Sequence, residues 1–147
     1  MAVELLELKI ALRKGRVVTT LQYADVEAAI DWLRRVFGME LKLRVDGDDG
    51  RPEHAQLLHG HEVVMLGPYA DTQYGRLLRK PGDLGGCETQ APYLVVPDAD
   101  VIWQRVRDAG GEIVIDIVDQ SYGGRGFTCR DPQGHLWNVG TYDPFAA

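Results

Sequence analysis

Cysteine is scarce in this 147-residue chain: Cys87 and Cys129 are the only two, and they form no CxxC pair and no metal-finger spacing. That excludes a disulfide framework and a zinc ribbon, and it fits free thiols in a reducing compartment, hence a cytoplasmic location. No apolar run approaches the roughly 20 residues needed to cross a bilayer. The opening stretch Ala-Val-Glu-Leu-Leu-Glu-Leu-Lys-Ile has acids inside it and no basic lead, so it does not read as a secretory signal. Clustered Lys and Arg are also missing. The net charge of −6 and pI near 5.1 exclude the electrostatic footprint of a nucleic-acid binder and favour small-molecule or cationic partners. No Gly-rich phosphate loop joins a strand to a helix, and no Ser-His-Asp or Cys-His set can be assembled.

What is present is periodicity. With 45% apolar residues the chain is long enough for one substantial core. Residues 1–16 form an extension that reads as a short helix or an added strand. From Val17 a β-branched strand runs into Asp25, an N-cap residue. Val26, Ile30, Leu33 and Phe37 follow at helical spacing, and Gly38 stands where a C′ glycine ends a helix. Leu41–Val45, His54–Leu58 and Glu62–Leu66 read as three more strands, the last two joined at Gly60. Between Pro68 and Gln90 the composition turns to Gly, Pro and charge, as in a linker.

The pattern then restarts. Tyr93–Val96 reads as a strand and Asp98 as a cap. A helical stripe runs from Ala99 to Ala109, and strands follow at Ile113–Val118, Phe127–Arg130 and Leu136–Val139. The caps set an offset of 73 residues, which also superposes Leu21 on Leu94, Arg34 on Arg107, Gly38 on Gly111, Val45 on Val118, Gly67 on Gly140 and Tyr69 on Tyr142. Unrelated segments of this length would share roughly three identities, so a duplication is the better explanation. The expected class is α+β, with two β-α-β-β-β modules in a single domain over 17–144. Module one covers 17–69, the linker 70–89 and module two 90–144.

The paired modules, the Gly-ended helices and the turn-strand Asp-Pro-Gln-Gly-His-Leu-Trp at 131–137 resemble the vicinal oxygen chelate superfamily, which contains glyoxalase I, the bleomycin-resistance proteins and the extradiol dioxygenases. The resemblance covers about Val17 to Pro144. It implies that each module curls into a half-cup, that two half-cups enclose a cavity, and that the protein is a homodimer, with residues 1–16 available to the interface. Metal-dependent members carry His and Glu ligands on the first and last strand of each module. Those places fall here on Val18, Met65, Ala91 and Asn138, which make no adequate ligand set for a divalent ion. No metal and no cofactor is therefore expected.

The cup face carries Thr20, Gln22, His54, Gln56, Met65, Tyr93, Phe127 and Asn138 as candidate ligand-binding residues, with Tyr69, Tyr122 and Tyr142 at the mouth. His54 is the one candidate general base. His59 and His61 read as solvated turn residues, His135 as a surface residue, Trp103 and Trp137 as packing, and Trp32 as lying off the main helical stripe, near a subunit contact. Cys129 reads as a small core residue. The expected function is metal-independent sequestration of an aromatic or cationic small molecule, of the bleomycin-resistance type. The alternative is a lyase, isomerase or dioxygenase using a metal bound elsewhere, with His54, Glu53 or Glu62 recruited. A third reading is a ligand-free dimeric module whose cup is plugged by Met65, Tyr93 and Phe127. Whether the chain is an enzyme is left open by the sequence.

Overall fold

The computed structural model describes residues 2–146; Met1, the first residue of the N-terminal extension, lies outside the described residues. Helix α1 (Ala2–Leu12) comes first. Module one then runs β1 (Thr19–Tyr23), α2 (Val26–Phe37), β2 (Glu40–Asp46), β3 (Pro52–His59) and β4 (Glu62–Pro68). Module two runs β5 (Tyr93–Val95), α3 (Ala99–Asp108), β6 (Glu112–Asp119), β7 (Arg125–Arg130) and β8 (Leu136–Gly140). The intervening linker contains only two short 3₁₀ turns, at Gly75–Leu77 and Pro81–Leu84. The fold is α+β, as the duplicated pattern implies.

Each module makes one four-stranded mixed sheet, ordered β1-β4-β3-β2 and β5-β8-β7-β6. The first strand of each module pairs parallel with the last, and the other pairings are antiparallel. The crossover that this parallel pairing demands is the helix, whose start is fixed by an aspartate: the Asp25 and Asp98 carboxylates accept from the backbone N–H groups of Ala28 and Val101. Gly38 ends α2 in the left-handed conformation.

The core is shared. Apolar residues of both sheets and both helices form one buried cluster, and α2 packs on its own sheet and on α3. This double contact buries a wide arc of α2. Trp32, expected near a subunit contact, is only 3% exposed and donates its Nε1–H to the Ala109 carbonyl of the other module at 2.9 Å. Across the module boundary α2 packs against α3, Phe37 of α2 meets Trp137 of β8 with ring centroids 5.2 Å apart, and His59 at the end of β3 reaches the Val95 carbonyl of β5.

The 73-residue offset holds at the first and last strands, where Thr20–Met65 and Tyr93–Asn138 are equivalent pairs. It fails between them. The glycine with positive φ after α3 is Gly110, 72 residues beyond Gly38, and the pair Leu43–Gln56 answers to Ile115–Thr128, again at 72. The residue is dropped between the helix caps and the helix-ending glycines, where α3 is shorter than α2, and the longer β7–β8 turn restores it. A one-residue slip reverses the face to which a strand residue points. Phe127, expected in the cup, borders the module-two hollow but is 4% exposed and belongs to the buried cluster with Cys129.

Candidate functional site

The concave face of each sheet carries a central row of one residue per strand, in register, and beside the module-one row Gln22, His54 and Glu53 line the same hollow. In module one, Thr20, Met65, Gln56 and Leu43 form a row across β1, β4, β3 and β2. In module two, Tyr93, Asn138, Thr128 and Ile115 form the matching row across β5, β8, β7 and β6. Neither row contains a carboxylate, an imidazole or a thiolate.

Of the predicted site residues, Thr20, Gln22, His54 and Met65 line one hollow of about 480 Å³. Gln56 adjoins them, donating its amide Nε2 to His54 Nε2 at 3.1 Å. That contact occupies one of the two ring nitrogens a general base could use. Tyr93 and Asn138 lie instead in a separate hollow of about 270 Å³ on the other module, with Thr128, Tyr122 and Tyr142. Within one chain the structure thus gathers the predicted residues into two half-sites.

The second half-site is a polar floor with an aromatic rim. Thr128 Oγ1 donates to Asn138 Oδ1 at 2.7 Å, and Asn138 Nδ2 lies 3.5 Å from the Pro92 carbonyl. Tyr93 Oη donates to the Tyr142 carbonyl at 2.8 Å, and the rings of Tyr122 and Tyr142 meet edge to face at 5.3 Å. Burial pushes the Tyr93 phenol above its ordinary range, with help from Tyr122, Tyr142 and Asp143, so it remains a donor at neutral pH. Thr128 was hidden from sequence reading by the register slip that moved Phe127 inward. Tyr69, expected at the mouth, instead borders the linker, beneath the Lys80 ammonium.

A divalent ion does not fit these residues. Of the four places where the resemblance implies ligands, Val18 and Ala91 offer no donor atom, Met65 offers a thioether, and the Asn138 oxygen already accepts from Thr128. Among the described residues no group of three His, Cys, Asp or Glu side chains could hold a metal.

The turn-strand at 131–137 has a different role: it clamps the modules together. Asp131 is 5% exposed; its Oδ2 accepts from Tyr23 Oη at 2.7 Å and Trp137 Nε1 at 3.1 Å, and its Oδ1 from the backbone of Gln133 and His135. The Gln133 side chain pairs with the backbone N–H and carbonyl of Asp25. His135, expected at the surface, is 7% exposed; it donates Nε2–H to the Gln22 carbonyl at 2.6 Å and meets Glu88 through Nδ1 at 2.5 Å. His59, expected to be solvated, lies 2.8 Å through Nε2 from the carbonyl of Val95, the counterpart of Gln22. Each module therefore extends a histidine from the end of its third strand or the following turn to the first strand of the other. Burial, then Asp131, holds the Tyr23 phenol well above its ordinary range.

Comparison with known proteins places these features in a family. The model described as Glyoxalase/Bleomycin resistance protein/Dioxygenase superfamily matches residues 15–139. An uncharacterized protein of Mycobacterium bovis is 34% identical over 116 residues, covering 79% of this chain and 76% of its own length. Among solved structures, TioX from Micromonospora sp. ML1 is 31% identical with a TM-score of 0.67, over 90% of this chain and all of that one. The fosfomycin resistance protein FosX from Mesorhizobium loti shares the fold at 18% identity and a TM-score of 0.62, over 89% of this chain and 94% of that one.

Proposed function

Because the chain belongs to the glyoxalase/bleomycin resistance protein/dioxygenase superfamily, we propose that it is a metal-independent, cytoplasmic small-molecule-binding protein that sequesters an aromatic or cationic ligand. The observation that carries this reading is the pair of rows described above. Where a metalloenzyme of this architecture needs acids and imidazoles, Thr20–Met65–Gln56–Leu43 and Tyr93–Asn138–Thr128–Ile115 supply apolar surface, amides and hydroxyls. Such a lining holds a ligand by shape, stacking and a few hydrogen bonds. The half-exposed rings of Tyr93, Tyr122 and Tyr142 offer stacking and cation–π contacts, each worth on the order of 1 kcal/mol. The acidic surface attracts cations.

The two hollows open on different sheets, so the complete cup is made by two chains, module one of each facing module two of the other. Exposed Leu43, Val45, Ile115 and Val118 on the outer strands supply apolar surface for that homodimer. Equilibrium dialysis against a panel of glycopeptide, quinone and intercalating antibiotics tests the reading, alongside light scattering and elemental analysis of untagged protein. Expected are saturable binding at one ligand per cup, indifference to EDTA, and a two-chain mass. Absence of binding across the panel, or a stoichiometric divalent ion on which binding depends, overturns it.

A further inference from the structure

The two half-sites differ in charge, which their central rows do not show. Besides His54, the charged side chains that line the hollows are Glu53 on module one and Arg125 on module two. Arg125 is already neutralised: its guanidinium donates to Asp100 at 3.0 Å and to Asp119 at 3.4 Å. Glu53 is not. Among the described residues its carboxylate enters no ion pair and no hydrogen bond.

The backbone aims that carboxylate. Between β2 and β3, Val45 pairs with His54 and Asp46 with Pro52, so Glu53 is the extra residue of a bulge. Neighbours in a regular strand point to opposite faces, yet Glu53 and His54 line the same hollow. Gly47, just beyond β2, makes the room. A Cβ there would collide with Glu53 Oε1, and Gly47 is not among the glycines with positive φ, so space rather than backbone conformation calls for glycine. The carboxylate occupies the volume that a side chain at position 47 would fill.

An unpaired carboxylate on the wall of a binding hollow selects for positive charge: a ligand N–H⁺ gains a charge-assisted hydrogen bond, and an anion is repelled. The tyrosine rim of the facing half-site takes a flat ring. We propose that Glu53 is the specificity-determining residue of the cup. Its ligand is a planar aromatic amine, protonated at neutral pH, with the N–H⁺ on Glu53 of one chain and the ring on Tyr93, Tyr122 and Tyr142 of the other. The inference rests on the binding reading above and narrows it, from aromatic or cationic to both in one molecule held in one polarity.

Three probes that share a ring system separate charge from stacking: acridine, 9-aminoacridine and acridine-9-carboxylate are neutral, cationic and anionic at neutral pH. Equilibrium dialysis against the full chain is expected to show 9-aminoacridine bound about tenfold more tightly than acridine, and the carboxylate weakest. Glu53→Gln brings 9-aminoacridine to the affinity of acridine and leaves acridine unchanged. Glu40→Gln, an equal change of net charge at the far end of β2, alters neither. Gly47→Ala keeps the charge but displaces the carboxylate, and is expected to lower the affinity for 9-aminoacridine severalfold while that for acridine holds. Equal affinities of the neutral and cationic probes, or the same loss in Glu53→Gln as in Glu40→Gln, overturn the role of Glu53 and leave aromatic binding standing. Tightest binding of the carboxylate overturns it in favour of Arg125. Binding of none of the three overturns the aromatic-cation assignment, and the antibiotic panel then decides the binding reading by itself.

Discussion

Asp131 is a buried carboxylate with four donors on two oxygens, two from side chains and two from the backbone of its own turn. Truncating it strands the Tyr23 hydroxyl and the Trp137 indole N–H in the buried interior, and each stranded donor costs about 1–3 kcal/mol. Asp131→Ala is expected to lower stability by about 3 kcal/mol or more, read as a fall in the urea midpoint without loss of helix signal. Asp131→Asn recovers part of that, because an amide keeps one acceptor but turns its other end into a donor facing donors. Cys129 gives a second test. Burial, then Asp131, pushes its thiol from 9.0 up to about 12. Iodoacetamide at pH 8 should modify exposed Cys87 and spare Cys129 until the chain unfolds. The folded chain keeps this proton longer than the unfolded one. The contribution is therefore fully present below about pH 9 and is lost as pH rises toward about 12, by at most about 1.4 kcal/mol per pH unit. A urea midpoint that falls less steeply between pH 8 and 10 in Cys129→Ala confirms the sign.

At the scale of the element, the helix starts are set by local chemistry. Asp25→Ala removes the acceptor for the Ala28 N–H and is expected to cost about 1 kcal/mol; the check is the urea midpoint beside that of Asp98→Ala, its counterpart on α3. These caps, the apolar stripes and the strand alternation were legible because each is written within a few residues. Thr20, Gln22, His54, Gln56, Met65, Tyr93 and Asn138 could be placed on the concave face for the same reason: parity survives wherever a strand is regular. Phe127 and Thr128 could not, because a residue dropped at the end of α3 leaves no mark in composition yet reverses the side chains as far as the β7–β8 turn that restores the offset. Trp32, His59 and His135 were misread for another reason. Each meets a partner 36 or more residues away, and a period measured along one helix or strand carries no information about what packs on its far side. The turn-strand at 131–137 announces the family through residues whose observed work is to join the modules, so it told more about ancestry than about chemistry.

Besides the shared core, two histidine contacts join the modules; their acceptors, Gln22 and Val95, are related by the internal repeat, and the contacts are not equal. His59 has its Val95 carbonyl and a partly exposed ring. His135 has the Gln22 carbonyl on one nitrogen and Glu88 on the other, with the Tyr23 ring edge-on at 4.7 Å, and Glu88 also accepts from the Leu136 N–H. With Nε2–H committed to a carbonyl, Nδ1 is the ring atom that meets Glu88 Oε1. Removing either member leaves the other buried with an unmatched site. His135→Ala is thus expected to cost about 3 kcal/mol, and His59→Ala about 1 kcal/mol, since a single hydrogen bond at a wetter position is lost. Both changes leave each sheet intact, so far-ultraviolet circular dichroism should hold while the urea midpoint falls by these unequal steps. Equal losses would mean that the clamp is carried by the α2–α3 packing alone. A larger loss in His135→Ala, matched by Glu88→Ala and not deepened in the double variant, would mean that the linker, through Glu88, does as much as the helices to fix the angle between the two half-cups and so the shape of the cup that two chains complete.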